Sequence, residues 1–211
     1  MKSELKIILM LCVLLICNAS CLAFDTDHMK VLSEEAAMLK SELEKQPESF
    51  LVNRKLGLVY FEMYGEKING KVEEKRILGN NAINYLDKAD NIYEFNYNTK
   101  VATDKEIIRI YSHLGLLSTV NNRPKDASLY YYTRMHDYCN EENHDESYKE
   151  FAVEAYAGMA SSYALLSDNN NAYKMCQKGL KIDPNNEDLK DLKKKLSTLQ
   201  TLEAIADVLN K

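Results

Sequence analysis

The stretch AYAGMASSYALLSDNNNAYKMCQKGLKIDP, residues 155–184, places small residues at regular intervals along two apolar segments. Ala160 lies in the first segment, and Ala172 and Gly179, seven residues apart, lie in the second. Residues at that spacing share one face of a helix, and the SDNNN connection is rich in turn-forming residues. The stretch therefore predicts two antiparallel helices that pack closely through their small residues.

The same pattern recurs twice earlier in the chain. Ala82, Ala127 and Ala172 are equally spaced, with the same interval from the first to the second as from the second to the third. Each follows a first amphipathic segment, and these segments are residues 50–64, 108–120 and 153–166. A supersecondary unit that recurs at a fixed interval stacks against its neighbours to bury a continuous core. We therefore predict an all-α fold of stacked antiparallel helical hairpins.

The residues of these hairpins resemble the tetratricopeptide repeat, a helical hairpin of about 34 residues. The third unit matches all eight of the positions at which that family places large residues, small residues and proline. The resemblance implies an α-solenoid repeat domain over residues 24–186, with units at about 50–96, 108–141 and 153–186. The residues expected in its core include Gly57, Tyr60, Ala82, Gly115, Ala127, Tyr156, Ala160, Tyr163, Ala172, Gly179 and Pro184.

The middle unit departs from this pattern at Ser118 and Arg134, and it also contains a run of three tyrosines. Arg134 occupies a position where the other units have a small residue, so we expect either a splayed helix or an arginine stem along the surface. Tyr130, Tyr131 and Tyr132 are adjacent and cannot all lie on one side of a helix. At least one of the three tyrosines is therefore predicted at the surface.

Two segments lie outside the regular pattern. Residues 65–81, GEKINGKVEEKRILGNN, are inserted in the first hairpin, and either a functional loop or a solvated excursion fits them. Leucines recur every three or four residues through 187–211, which predicts an amphipathic helix that caps the stack. Self-association through that helix, giving a homo-oligomer, is the alternative interpretation.

Residues 1–23 are predicted to be a signal peptide. Two lysines precede residues 7–17, IILMLCVLLIC, an unbroken apolar run. A membrane-spanning helix needs about 20 apolar residues, so this shorter run matches a signal-peptide core. We therefore expect an exported protein, periplasmic or secreted.

Three fates of this leader are open. Cleavage after Ala23 is one. A second is lipidation of Cys21, because Ala19-Ser20-Cys21 resembles the end of a bacterial lipobox, although Asn18 replaces its aliphatic residue. An uncleaved anchor is the third. A lipid anchor at Cys21 is the membrane attachment that the sequence offers.

Composition narrows the classes of function. The net charge of −5 argues against binding to a nucleic-acid backbone. The sequence contains none of the catalytic or phosphate-binding motifs GxSxG, GxxxxGK[ST], HExxH and GxGxxG. We therefore expect a protein that is not an enzyme and has no cofactor.

One cluster offers metal or redox chemistry as an alternative. His136, Cys139 and His144 could supply imidazole and thiolate ligands to zinc, although their spacing matches no established site. No metal site is assigned. Cys139 and Cys176 could also form a disulfide or pack separately.

The resemblance to tetratricopeptide repeats implies a binding groove along the first helices of the units. The ligand in that family is another protein or peptide, so an adaptor in a cell-envelope complex is the expected function. Among the positions that carry over to this groove, which include Glu154, the expected binding residues are Arg54, Leu58, Phe61, Arg109, Ser112, Leu116 and Ser161.

Overall fold

The computed structural model describes residues 26–67, 71–96, 102–121, 126–139 and 146–209. Within these ranges the chain forms eight α-helices, one 3-10 turn at Glu146–Tyr148 and no strand. The predicted leader, Cys21 and His144 lie outside the described residues. The helices are α1 (Thr26–Lys45), α2 (Phe50–Glu66), α3 (Val72–Phe95), α4 (Asp104–Val120), α5 (Ala127–Cys139), α6 (Lys149–Leu165), α7 (Asn169–Ile182) and α8 (Glu187–Leu209).

Consecutive helices pack against each other along the whole described chain. The three most extensive pairings are α2 with α3, α4 with α5 and α6 with α7, which are the three predicted hairpins. Helix α1 packs on α2, and α8 packs on α7. The prediction of an all-α stack of helical hairpins is therefore confirmed.

Polar side chains fix where several of these helices begin. Ser49 accepts a hydrogen bond from the Val52 backbone N–H at 3.3 Å, and Asp168 accepts one from Asn171 at 3.1 Å. Thr103 forms a complete capping box with Glu106 at the start of α4. These bonds satisfy backbone donors that a helix leaves unpaired in its first turn.

Replacing Thr103 with alanine should lower the free energy of unfolding by about 1 kcal/mol, because α4 loses its N-terminal cap. Thr133→Ala is the matched control, since Thr133 is an exposed helical residue of α5 and alanine is the better helix former. Urea denaturation of both variants measures the difference. Equal stabilities would contradict a role for the capping box.

Small residues bring the two helices of each hairpin together. A Cβ atom added at Gly57 would lie 2.7 Å from Leu86, and one at Gly115 would lie 2.7 Å from Tyr132. In the third hairpin Ala160 is fully buried. None of the described glycines has a positive φ, so space rather than backbone conformation explains glycine at 57 and 115.

The predicted register of the second hairpin is wrong by one residue. Ala127 is the half-buried first residue of α5, whereas Ser128 is 2 % exposed. Tyr132 and Met135 follow Ser128 at +4 and +7, and both are buried. Ser128 therefore takes the place that Ala82 and Ala172 hold in the other hairpins.

The other core predictions differ in how deeply the residues are buried. Seven of them are buried in the described structure: Gly57, Tyr60, Ala82, Gly115, Ala160, Ala172 and Gly179. Gly179 is buried on α7 against Leu189. Tyr156 and Tyr163 are half-buried, and Pro184 is exposed in the turn before α8. Of the three adjacent tyrosines, Tyr130 is 53 % exposed, which confirms the expected surface position.

The 65–81 insertion is mostly helical rather than a loop. Helix α3 begins at Val72 and continues to Phe95. Gly79 lies inside it, where an added Cβ would be 2.5 Å from the Asn121 amide nitrogen. The Asn121 amide donates to Asn80 Oδ1 at 3.0 Å, so this part of the insertion packs against the end of α4.

A buried polar network joins α3, α4 and α5 at the junction between the first two hairpins. The Tyr111 hydroxyl donates to Asp90 Oδ1 at 2.7 Å and accepts from Arg134 Nη2 at 3.0 Å. The Arg134 guanidinium lies over the Tyr111 ring, 5.5 Å from its centroid, and also pairs with Glu94. The long side chain of Arg134 therefore reaches from α5 over Tyr111 of α4 to Glu94 of α3.

Helix α8 covers the apolar end of the stack. Leu189 and Leu196 are 1 % and 2 % exposed and pack in a cluster with residues of α7, including Ala172 and Cys176. Leu202, further along α8, is 57 % exposed. The first half of α8 therefore caps the fold, and self-association through its second half stays a prediction.

Candidate binding surface

Two contacts place α2 and α4 side by side in the same direction. Arg54 Nη1 lies 2.8 Å from Glu106 Oε1. The Phe61 and His113 rings meet edge to face with 4.3 Å between their centroids. The two contacts are seven residues apart on both helices, and the order along the chain is the same. Helices α2 and α4 are therefore parallel and in register.

Helices α4 and α6 repeat this arrangement. Lys105 Nζ donates to Ser147 Oγ at 2.7 Å, just before α6 begins. Ser112, seven residues later, donates to the Glu154 carboxylate, and Glu154 is seven residues beyond Ser147. We call the surface formed by residues 54–61 of α2, 105–116 of α4, and 147–161 of the 3-10 turn and α6 the first-helix face.

The predicted groove residues lie on this face with different exposures. Arg109 is exposed, whereas the other six are half-buried: Arg54, Leu58, Phe61, Ser112, Leu116 and Ser161. Contacts between neighbouring first helices involve Arg54, Phe61 and Ser112. Within the described part of the chain, no hydrogen bond or ion pair links Ser161 to the other six.

The groove prediction missed two residues of the face. Glu106 and His113 are the partners of Arg54 and Phe61. Glu106 carries a sequence signal, because Thr103 and Glu106 have the spacing of a capping box at a helix start. His113 carries no such local signal, since its partner Phe61 belongs to a different unit of the chain.

Two titratable groups at the centre of the face have pKa values shifted by their surroundings. Hydrogen bonds from the Thr103 backbone N–H and hydroxyl, together with the nearby guanidinium of Arg54, hold the pKa of Glu106 below its usual value. Burial lowers the pKa of His113. The face therefore carries a carboxylate and a neutral imidazole near neutral pH.

Two of the three residues of the alternative metal or redox cluster, His136 and Cys139, lie among the described residues. His136 Nε2 lies 2.8 Å from the Tyr156 hydroxyl oxygen, and Cys139 is 7 % exposed in the core. Burial raises the pKa of the Cys139 thiol to about 12 and that of Cys176 to about 11, which disfavours the reactive thiolate. Both cysteines are free.

The described residues hold neither a metal-binding cluster nor a membrane-spanning helix. They contain no group of three or more His, Cys, Asp or Glu side chains arranged to hold a metal ion. In the same residues, no helix combines the length and apolar character needed to cross a membrane. None of the protein-family models, curated proteins or solved structures compared with this chain matches it, so its function has to be inferred from the first-helix face.

Proposed function

We propose that the protein is a non-enzymatic binding scaffold, similar to tetratricopeptide-repeat proteins, that holds an extended peptide or a partner helix on the first-helix face. The observation that carries this proposal is the parallel, in-register arrangement of α2, α4 and α6. That arrangement aligns side chains from three units in one continuous layer, which a long ligand can follow.

The chemistry of the face suits a polypeptide ligand. Leu58, Phe61 and Leu116 are half-buried apolar residues that a ligand side chain could cover. Charged groups lie among them, including Arg109 and Glu154, which are exposed. A mixture of apolar anchors and charged neighbours is the usual composition of a protein-binding surface.

The proposed setting is outside the cytosol. The apolar run at residues 7–17 and the small residues that follow it support export. We therefore propose an adaptor or assembly factor in a cell-envelope complex, free or attached through a lipid at Cys21.

Selection of phage-displayed random peptides tests the proposal. The bait is the protein purified after expression of its full sequence. The face variant is Leu58→Gln, Arg109→Glu, Leu116→Gln, and the matched control on the second helices is Asn84→Gln, Thr133→Gln, Lys174→Glu. Asn84, Thr133 and Lys174 are exposed, and both variants change the net charge by the same amount.

We expect the wild type and the control to enrich the same peptides, and the face variant to lose at least tenfold in affinity for them. Loss of a half-buried anchor and a reversed charge at an interface costs at least about 1.4 kcal/mol, which corresponds to a tenfold loss of affinity. Arg109→Glu alone, compared with Lys174→Glu alone, keeps the test valid should the triple variant unfold. Equal binding by wild type, face variant and control would contradict the proposal.

A further inference from the structure

We propose that Arg109 and His113 form a carboxylate-binding subsite on the first-helix face, and that the subsite binds an Asp or Glu side chain of the ligand more tightly when His113 is protonated. The inference deepens the proposed function and rests on it, because it requires a peptide on this face. It names both the chemistry of the ligand and a condition that regulates binding.

Arg109 is the arginine of this face whose guanidinium is available to a ligand. Its side chain is exposed, and in the described part of the chain it has no ion pair or hydrogen bond. Arg54, the other arginine of the face, is already paired with Glu106 at 2.8 Å. A guanidinium with free N–H groups binds a carboxylate in a two-pronged geometry. Arg109 therefore supplies the permanent charge of the subsite.

His113 lies one helical turn after Arg109 on α4, so the two side chains share a face. Its Nδ1 contacts the Arg109 backbone carbonyl oxygen, which can only accept a hydrogen bond. Nδ1 therefore carries the proton, and Nε2 is the nitrogen that gains one on acidification. Within the described structure, no hydrogen bond engages Nε2, so a ligand carboxylate can accept from it once it is protonated.

Groups from each neighbouring helix act on the charge of His113. Arg54 on α2 and Arg109 on α4 disfavour protonation, and Glu154 on α6 favours it. Together with Glu106 these groups carry two positive and two negative charges. Protonation of His113 changes the sum from zero to +1, which attracts an anionic ligand.

An apolar wall beside the subsite supports the same assignment. The Phe61 ring packs against the His113 ring with 4.3 Å between centroids, and Leu58 is half-buried one turn earlier on α2. Partial exclusion of water strengthens an ion pair formed there. The fitting ligand is a segment with an acidic side chain next to an apolar one.

Two fluorescein-labelled pools of random decapeptides test the inference. Both pools fix a Leu-x-x-Glu or a Leu-x-x-Gln element at the same positions and are otherwise identical. Fluorescence anisotropy gives the affinity ratio of the Glu pool to the Gln pool at pH 7.5 and pH 5.5. Burial lowers the pKa of His113, so its charged form gains weight only towards acidic pH. We therefore expect this ratio to be higher at pH 5.5 than at pH 7.5, by up to about fivefold, the upper range for a partly exposed ion pair.

Two variants assign the effect to its residues. His113→Gln keeps a donor for the Arg109 carbonyl and should give the same ratio at both pH values. Arg109→Gln should lower the affinity ratio of the Glu pool to the Gln pool at both pH values. Lys174→Gln, on α7, is the matched control and should behave as the wild type.

The outcomes separate the inference from the proposed function. Binding of both pools with a ratio that does not change with pH, or a pH effect that survives in His113→Gln, would overturn the inference alone. No binding of either pool would overturn the inference and also contradict the proposed function.

Discussion

Replacing Gly158 with valine should lower the free energy of unfolding by about 3 kcal/mol, the upper range for overpacking a filled core. An added Cβ at Gly158 would overlap the Cγ, Cδ1 and Cε1 atoms of the Tyr132 ring. One at Gly115 would approach the opposite edge of the same ring. The ring is 8 % exposed and lies between α4 and α6, so it cannot move away from the new side chain.

Gly65→Val is the matched control, because no atom lies within 4 Å of a Cβ added there. Valine and glycine differ little in helix propensity, so we expect a change of no more than about 0.5 kcal/mol. Urea denaturation at pH 7 measures both variants. Adding Tyr132→Leu to Gly158→Val should recover part of the loss. If Gly158→Val were as stable as the control, Tyr132 would not lie between the two helices.

Asp90→Asn should remove a pH dependence of about 3 kcal/mol from the stability of the fold. Burial raises the pKa of Asp90 from 3.8 to about 6, against the opposing effect of its hydrogen bond from Tyr111. Each unit by which the pKa differs between the folded and unfolded states corresponds to about 1.4 kcal/mol of stability. Because the folded state holds the proton more tightly, this stabilisation is complete below pH 4 and is lost as the pH rises through about 6.

The measurement is the free energy of unfolding of wild type and Asp90→Asn between pH 4 and pH 7. The difference between the two should shift by about 2.5 kcal/mol in favour of the variant over that range, most of the full effect. The asparagine oxygen can still accept from the Tyr111 hydroxyl, so the variant should fold. Asp191→Asn, which removes an exposed carboxyl of α8, is the control and should not show this shift. Parallel curves for wild type and Asp90→Asn would contradict the buried network.

The fold was predictable because its determinants are local and periodic. Ala82 and Ala172 each begin a run of small and large residues at helical spacing, and both are fully buried. The second hairpin was harder because three adjacent tyrosines fit two registers equally well. The register is set by packing against Gly158, which lies close to the Tyr132 ring. Gly158 belongs to the next hairpin. No spacing within α5 contains that information.

The candidate site was predictable only in part. Position within a repeat placed Arg54 and Phe61 on one side of α2, but it could not show that each has a partner on α4. Those partners depend on how consecutive hairpins stack. The 65–81 insertion was misjudged for a similar reason, since Gly79 suggests a loop until Asn121 is seen packed against it.

Mapping a bound peptide by NMR tests the central claim most directly. The probe is the peptide most enriched by the phage selection, titrated into isotope-labelled protein. The account predicts that the largest chemical-shift changes fall on the first-helix face, at residues such as Leu58, Phe61, Arg109 and Leu116. Changes concentrated on α3, α5 and α7, or on the exposed end of α8, would contradict it.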